Sequence, residues 1–341
     1  MSVIIPCREE REYVESAVQS ALASDWPADR MEVLVVDGMS TDGTRDVVAA
    51  LAAADARVRL LDNEKLLAAS ALNVGLRVAR GEYVLRLDAH GAIPPDHIKK
   101  GVAVLRAKPV VWAVGGPLDY VGSSTTGGVI AALARTFFST GKAALRVGRK
   151  EGLVDAVPYP LWRREIFAWV GEFDESLARN EDDDYFYRLQ RAGGFIYQTP
   201  AMRARYYVRD SFRKLFKQYY QYAFWKVVVA RKHGRFPEWK PLVPPTFFGA
   251  VAAALAAGLI VPWAGYVAAA LAGAYAVADV AASVAVGARA GVRGFIQALA
   301  VFPAFHLNYA AGLAAGFWYA YLRDLSPEEI VRRDICCALT R

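Results

Sequence analysis

The feature that most constrains this chain is the absence of charge over long stretches. From Pro244 to Ala288 the only charged residue is Asp279, and residues 295–322 carry none. A helix crossing a bilayer needs about 20 apolar residues, so the first block can hold two spans and the second block one. The spacing predicts them near 246–264, 266–287 and 296–321. A buried helical hairpin of a soluble core is the competing reading, but uncharged runs of this length are a membrane signature. The first two spans would meet at "VPWAGY", with Arg289 and Arg293 in the following loop, which the positive-inside rule places on the cytoplasmic side. "MSVIIPC" has no basic leader and too short an apolar run for a signal peptide, so residues 1–240 are expected in the cytoplasm. A third span would carry the tail from Arg323 to the opposite side, with Pro303 marking a kink or a re-entrant segment.

Charge is just as local. Of a net +7, residues 203–240 supply eleven Lys and Arg against Asp210 and Glu238. Such a cluster can serve nucleic acid, but directly before membrane spans it points to anionic headgroups or a lipid-linked phosphate instead. Arg213, Lys214 and Lys217 are the candidate headgroup or acceptor contacts. The surrounding "QYYQYAFWK" (218–226) reads as an interfacial helix with Phe212, Phe216, Tyr219 and Trp225 toward lipid. Asp279 and His306 are read as reaching the interface or pairing within the bundle. Small-residue-rich spans suit close packing, including between copies in a homo-oligomer. Cys7, Cys336 and Cys337 form no framework and are expected to be reduced and non-catalytic.

The first 110 residues alternate between strand and helix. Apolar, β-branched runs at 2–7, 32–38, 57–63 and 82–90 are separated by helical patterns at 11–23, 41–54 and 68–80. This implies an α/β fold, a Rossmann-like, mostly parallel sheet with helices on both faces and ligands at the carboxyl ends of the strands. Pro6, Glu10, Asp37, Asp88 and His90 all fall at those ends.

Each end admits two readings. Asp37, before "GMSTDGT", can bind a ribose hydroxyl or base N–H, or can cap a turn. Asp88-Ala89-His90 can hold a divalent ion bridging a diphosphate if the segment is a tight turn, or can be a strand end with a helix cap. The imidazole would favour Mn²⁺ over Mg²⁺. Further on, Glu181 to Asp184 are four consecutive acids at a helix start, where negative charge is favoured. Four exceed what capping needs, and one of them could act as a general base toward a hydroxyl.

The ordered set "SVIIPCREE", "VLVVDGMSTDGT", "ALNVGLRVARGEYVLRLDAH", "VGEFDE" and "NEDDDYFYRLQRAG" resembles the inverting, GT-A-fold glycosyltransferases of family 2 over roughly residues 2–225. The Asp-Ala-His variant and the apolar C-terminal blocks look most like the bacterial succinoglycan-biosynthesis glucosyltransferase branch. By motif position the resemblance implies that Pro6, Arg8 and Glu10 line the nucleotide pocket and that Asp37 contacts uracil or ribose. Asn73 would help hold the nucleotide, Asp88 and His90 would match the Asp-x-Asp metal motif, and Asp182 would be the general base. Arg188 matches an arginine of the helix that follows. Asp88 would thus serve both nucleotide sugar and metal. Two departures stand out. His90 replaces the second metal-motif aspartate. Where many membrane-bound relatives carry Gln-x-x-Arg-Trp, this chain has Gln221 and Trp225 but Phe224 in place of arginine, which weakens a processive-polymer reading.

The expected organisation is a cytoplasmic catalytic domain (1–205), basic amphipathic interfacial helices (206–243), a membrane domain of about three spans (244–322) and a tail (323–341). The resemblance implies a multi-pass enzyme of the bacterial inner membrane. It would move a hexose such as glucose from a UDP-sugar, with a divalent metal, to a hydroxyl of a polyprenyl-diphosphate-linked saccharide. A polyprenyl-monophosphate transferase and a non-catalytic nucleotide-binding membrane protein are the alternatives. The first needs no base and leaves the acidic run idle; the second is favoured only by His90.

Overall fold

The computed structural model describes residues 1–140, 151–236 and 239–336, so Cys337 and Glu238 lie outside the described residues. The chain forms two compact units. The first comprises residues 1–120 and 151–207 of the described chain, and the second 121–140, 208–236 and 239–336. The excursion at 121–140 therefore leaves the first unit and belongs to the second.

In the first unit the alternating runs become β1 (Ser2–Cys7), β2 (Glu32–Asp37), β3 (Val58–Asp62) and β4 (Tyr83–Arg86). They are separated by α1 (Val14–Leu22), α2 (Thr44–Ala54) and α3 (Ala68–Val78). Later strands are β5 (Gly91–Ala92), β6 (Val111–Gly115), β7 (Leu118–Val121), β8 (Gly152–Val154), β9 (Leu161–Arg163), β10 (Phe195–Gln198) and β11 (Ala204–Tyr207). The main sheet runs β3-β2-β1-β4-β9-β6-β10-β8. The four strands read from the sequence are mutually parallel, β9 is antiparallel to both β4 and β6, and β8 is an antiparallel edge. Ile4 packs into a cluster with Leu34, Leu72, Val84, Trp162 and Tyr185. Val3 and Ile5 point to the opposite face, yet they too are fully buried, as a parallel sheet covered on both sides requires. A small second sheet, β5-β11-β7, takes up the chain beyond the β4 end.

In the second unit, helix Phe212–His233 is capped by Ser211, whose hydroxyl accepts from the Lys214 amide, and is stopped by Gly234 in a left-handed conformation. Apolar helices follow at Val243–Gly258 and Pro262–Phe317. Among the described residues two segments, Lys240–Gly258 and Pro262–Leu322, are long and apolar enough to cross a membrane, and little or none of their most apolar surface is covered by protein. The second of these is not one straight rod. Tyr275 and His306 would stand about 46 Å apart along a continuous helix, yet Tyr275 Oη lies 2.7 Å from His306 Nδ1. The chain doubles back at Gly291, whose φ of 72° and ψ of −174° lie in a region essentially reserved for glycine. This gives three apolar helical arms, with the second turn between Arg289 and Arg293. Pro303 sits inside the last arm, which stays helical around it.

One expectation about this unit is corrected. The aromatic side chains of helix Phe212–His233 face protein: Phe212 and Phe216 pack on a cluster containing Val286 and Phe302, Tyr219 lies 4.5 Å from Phe305, and Trp225 is fully buried. The last arm is small-residue-rich on that side, and Gly312 and Gly316 let the two helices approach closely. The basic helix runs along the last arm, and the tail meets its far end. Arg231 donates to the Leu325 carbonyl at 3.0 Å, and Trp225 Nε1 donates to the Cys336 carbonyl at 3.2 Å.

Candidate active site

Parallel register brings the strand ends together, with Cys7 and Asp37 as partners at the ends of β1 and β2. Half-buried Pro6 lies one residue back, opposite Val36. Arg8 lays its aliphatic stem on Gly38, where an added Cβ would meet it at 3.2 Å. Its Nε is buried without a hydrogen-bond partner among the described residues. Asp37 is fully buried, with both oxygens engaged. Oδ2 accepts from the Ser40 amide (2.8 Å) and Arg45 Nη1 (2.9 Å), and Oδ1 accepts from Ser40 Oγ at 2.6 Å. It therefore fixes the loop after β2, the turn-ordering half of its two readings. Glu9 and Met39, in the loops after β1 and β2, both adopt positive φ, a strain that collects at functional edges. Burial, then the Asp37 charge, push the Cys7 thiol far up, so it stays protonated.

β4 ends at Arg86, earlier than the sequence pattern predicts, and Asp88-Ala89-His90 forms a turn closed by the Gly91 amide donating to the Asp88 carbonyl at 2.8 Å. His90 Nδ1 lies 2.9 Å from Glu10 Oε1. A carboxylate only accepts, so Nδ1 donates this bond and the ring is turned with Nε2 away from Glu10. Arg86 had not been singled out, yet it organises the site. Its Nε donates to Asp88 Oδ1 at 2.9 Å, and its Nη1 lies 3.1 Å from Glu181 Oε1. Burial pulls its pKa down, but Asp88, Glu181 and Asp182 outweigh that and hold it above its ordinary value. The signal was an arginine inside the apolar strand "YVLRLD", because a charge buried in a parallel sheet needs a partner.

Helix Glu181–Arg191 begins after Asn180, which is left-handed (φ 61°). Asp182 is open to solvent on one side, while dense protein surrounds its other sides. Desolvation, then the charges of Asp183 and Glu181, raise its pKa to about 7 against the pull of Arg86. That suits a proton acceptor at neutral pH. Arg188 is structural: Nε donates to Asp184 at 2.9 Å, Nη1 to the Val170 carbonyl at 2.8 Å and Nη2 to the Glu172 carbonyl at 2.9 Å.

Asn73 is corrected. It is buried, and its amide is spent on the loop before that helix: Nδ2 donates to the Phe173 carbonyl (2.9 Å) and Glu175 (2.8 Å), and Oδ1 accepts from the Phe173 amide at 2.9 Å. Gln221 and Trp225 are corrected too. Both are buried and both donate to the Cys336 carbonyl, so neither presents a headgroup contact. Arg213, Lys214 and Lys217 are exposed on their helix, with Lys214 3.4 Å from Asp210. A further residue missed in the sequence is Tyr159, which is buried beside Gly91. Burial, then the charge of Asp88, keep its phenol protonated.

Among the described residues no three His, Cys, Asp or Glu side chains converge on a closed metal cage. One carboxylate and one oriented imidazole on a single turn fit an ion that draws its other ligands from a diphosphate and water, as Mg²⁺ and Mn²⁺ do.

A mostly parallel sheet whose carboxyl edge joins an Asp-x-His turn to an acidic helix start defines a glycosyltransferase of the GT-A fold. Comparison with known proteins agrees. Residues 2–167 match Glycosyl transferase family 2. The chain is 33% identical over 278 residues to the succinoglycan biosynthesis protein ExoA of Rhizobium meliloti (strain 1021), spanning 79% of this chain and 83% of that protein. It is 25% identical over 242 residues to a Methanococcus voltae diacetamido-dideoxy-glucuronosyltransferase of dolichyl N-acetyl-alpha-D-glucosaminyl phosphate, spanning 68% and 74%. The mannosyltransferase PcManGT of Pyrobaculum calidifontis, solved with GDP-Man and Mn²⁺, shares the fold with a TM-score of 0.57 at 23% identity, over 92% of this chain and 86% of that one. The chain belongs to glycosyl transferase family 2, and it is an enzyme.

Proposed function

We propose that the enzyme is an inverting hexosyltransferase of the bacterial inner membrane. It would move a sugar, glucose in the first instance, from a UDP-sugar to a hydroxyl of a polyprenyl-diphosphate-linked saccharide in exopolysaccharide or surface-glycan synthesis. The observation that carries this reading is the Arg86 bridge, which sets the Asp88 turn, where a diphosphate would depart, beside the acidic helix start that offers a base. The succinoglycan name of one relative supports polysaccharide synthesis, and the dolichyl-phosphate saccharide in the name of the other supports a lipid-linked acceptor.

In this reading Asp182 accepts the proton of the acceptor hydroxyl as its oxygen attacks the anomeric carbon from the face opposite the diphosphate. The bond to the diphosphate breaks in the same displacement, so an α-linked donor yields a β-glycoside. Desolvation, then the charges of Asp183 and Glu181, keep the Asp182 pKa where proton transfer is useful. Asp88 and His90 would hold a divalent ion, Mn²⁺ in preference to Mg²⁺, which when bound supplies Lewis-acid charge to the departing diphosphate. Glu10 orients His90, Asp37 and Arg8 shape the nucleotide side, and Asn73 clamps the Phe173 loop from which the acidic helix starts. Three apolar arms would make the protein multi-pass with its catalytic unit cytoplasmic, and the exposed Arg213, Lys214 and Lys217 would meet anionic headgroups or the lipid diphosphate.

The raised Asp182 supports this reading over transfer to polyprenyl monophosphate, whose nucleophile is already ionised and needs no base. The test is nucleotide release by detergent-purified protein with a UDP-sugar panel, lipid-linked saccharides or polyprenyl monophosphate, and Mn²⁺, Mg²⁺ or chelator, beside Asp182→Asn. Saccharide-dependent, metal-dependent UDP release that is lost in Asp182→Asn is expected. Release that needs only polyprenyl monophosphate and survives in Asp182→Asn would overturn it.

A further inference from the structure

Tyr159 combines two anomalies at one position. Its side chain is only 3% exposed, and its hydroxyl is buried with no hydrogen-bond partner among the described residues. Buried hydroxyls are almost always satisfied, so an orphan asks for a ligand, a water or a functional role. Its backbone has a φ of 43°, although it precedes Pro160, where extended backbone is strongly preferred. A bulky, non-glycine residue held at positive φ is uncommon and marks strain that the surrounding fold imposes.

The place where this strain is spent is the Asp88 turn. A Cβ built on Gly91 would stand 2.5 Å from Tyr159 Oη, so the hydroxyl reaches the backbone just past His90 and only glycine leaves it room. The other walls are aromatic. Tyr206, paired in register with Gly91, sets its ring edge-on to His90 at 5.0 Å and to Tyr120 at 5.6 Å. The Tyr207 amide donates to the His90 carbonyl at 2.9 Å and fixes the turn from the same strand. The phenol O–H is a hydrogen-bond donor set against the turn that would receive the sugar diphosphate.

We propose that Tyr159 is a substrate-binding residue whose O–H donates to an oxygen of the nucleotide sugar at the Asp88 turn. This rests on the reading of that turn as the diphosphate site. The donor is held ready by the strained Tyr159-Pro160 backbone, so binding costs it little reordering. A hydrogen bond to an ionised phosphate oxygen gives about ten- to hundredfold in affinity, and one to a neutral sugar hydroxyl gives less.

The test is Tyr159→Phe in the full detergent-purified chain with Mn²⁺, by calorimetric titration of whichever of UDP, GDP or dTDP the wild type binds, and of its glucose conjugate. Thermal unfolding without nucleotide is measured alongside. Expected is an unliganded Tm at or above wild type, because only an unpartnered hydroxyl is removed, together with about ten- to hundredfold weaker binding. Loss with both ligands assigns the partner to the diphosphate, and loss with the sugar conjugate alone assigns it to the sugar. Wild-type affinity for both ligands in the variant overturns the proposal. A lowered unliganded Tm also overturns it, because the hydroxyl then has a partner in the free protein. Failure of the wild type to bind any nucleotide would instead sink the reading of the turn itself.

Discussion

Arg86 Nη1 stands 3.1 Å from Glu181 Oε1 while Nε of the same guanidinium holds Asp88 at 2.9 Å. One largely buried cation therefore joins the turn after β4 to the start of an acidic helix far along the chain. Removing one member of such a group leaves charges buried and uncompensated, at a cost of about 3–5 kcal/mol. Arg86→Met should lower stability by that order at pH 8 in denaturant titrations, and activity should fall with it. The penalty should shrink at low pH, where carboxyl groups are neutral. Arg86→Lys keeps the charge but loses the two-pronged geometry and should fall between. Unchanged stability and activity in Arg86→Met would remove the bridge from any account of the site.

Asp182 supplies the pH dependence. Its pKa is raised from 3.8 to about 7, so the folded state holds this proton more tightly than the unfolded chain does. That contribution to stability is complete below about 3.8 and is lost as pH rises through about 7. Asp182→Asn should therefore gain in Tm relative to wild type as pH rises from 4 to 8. A base must be deprotonated, so wild-type kcat/KM should climb through about pH 7 and level off. Asp182→Asn should lose about a hundredfold or more in kcat while still binding nucleotide. A pH profile flat from 5 to 9 would exclude Asp182 as the base.

How much of this was legible in the sequence depends on the range of the forces involved. The strands ending at Cys7, Asp37 and Asp62 and the helices between them follow from local periodicity, and the site residues at their ends follow from parallel topology. β8 to β10 are three- and four-residue strands with mixed pairing and carry no readable period. Asn73 and Trp225 were misassigned for a shared reason. A polar or amphipathic side chain beside a motif reads as a ligand contact until its partner is known, and those partners, Phe173 and Cys336, lie about a hundred residues away. Arg86 and Tyr159 were missed because their meaning lies in burial, which composition does not reveal. The Gly291 reversal was half legible: the flanking arginines marked a loop, but only backbone geometry identifies the pivot.

The His90–Glu10 contact predicts how metal dependence responds to a residue that need not touch the ion. Partners that orient a metal-binding imidazole are worth about ten- to hundredfold in metal affinity. Glu10→Gln replaces the charged acceptor 2.9 Å from His90 Nδ1 with a neutral amide and weakens its hold on the ring. The Mn²⁺ concentration giving half-maximal nucleotide release should rise by about tenfold, with kcat at saturating metal less affected. An unchanged metal titration would mean that Glu10 acts on the nucleotide alone.

The basic helix separates lipid contact from packing. Arg213, Lys214 and Lys217 are exposed on the first two turns of helix Phe212–His233, whereas Trp225, further along the same helix, is enclosed by protein and hydrogen-bonded to Cys336. Each cation near an anionic membrane surface contributes about 1 kcal/mol. The triple substitution to Ala should therefore raise KM for a lipid-linked acceptor in vesicles containing anionic lipid and leave KM for the nucleotide sugar unchanged. The effect should fade in zwitterionic vesicles and at high salt, where surface charge is screened. Trp225→Phe should behave oppositely. It loses a hydrogen bond worth about 1 kcal/mol, lowers Tm in detergent, and leaves acceptor KM insensitive to lipid charge. If the triple variant lost no acceptor affinity in anionic vesicles while Trp225→Phe did, the roles of the two surfaces would be reversed.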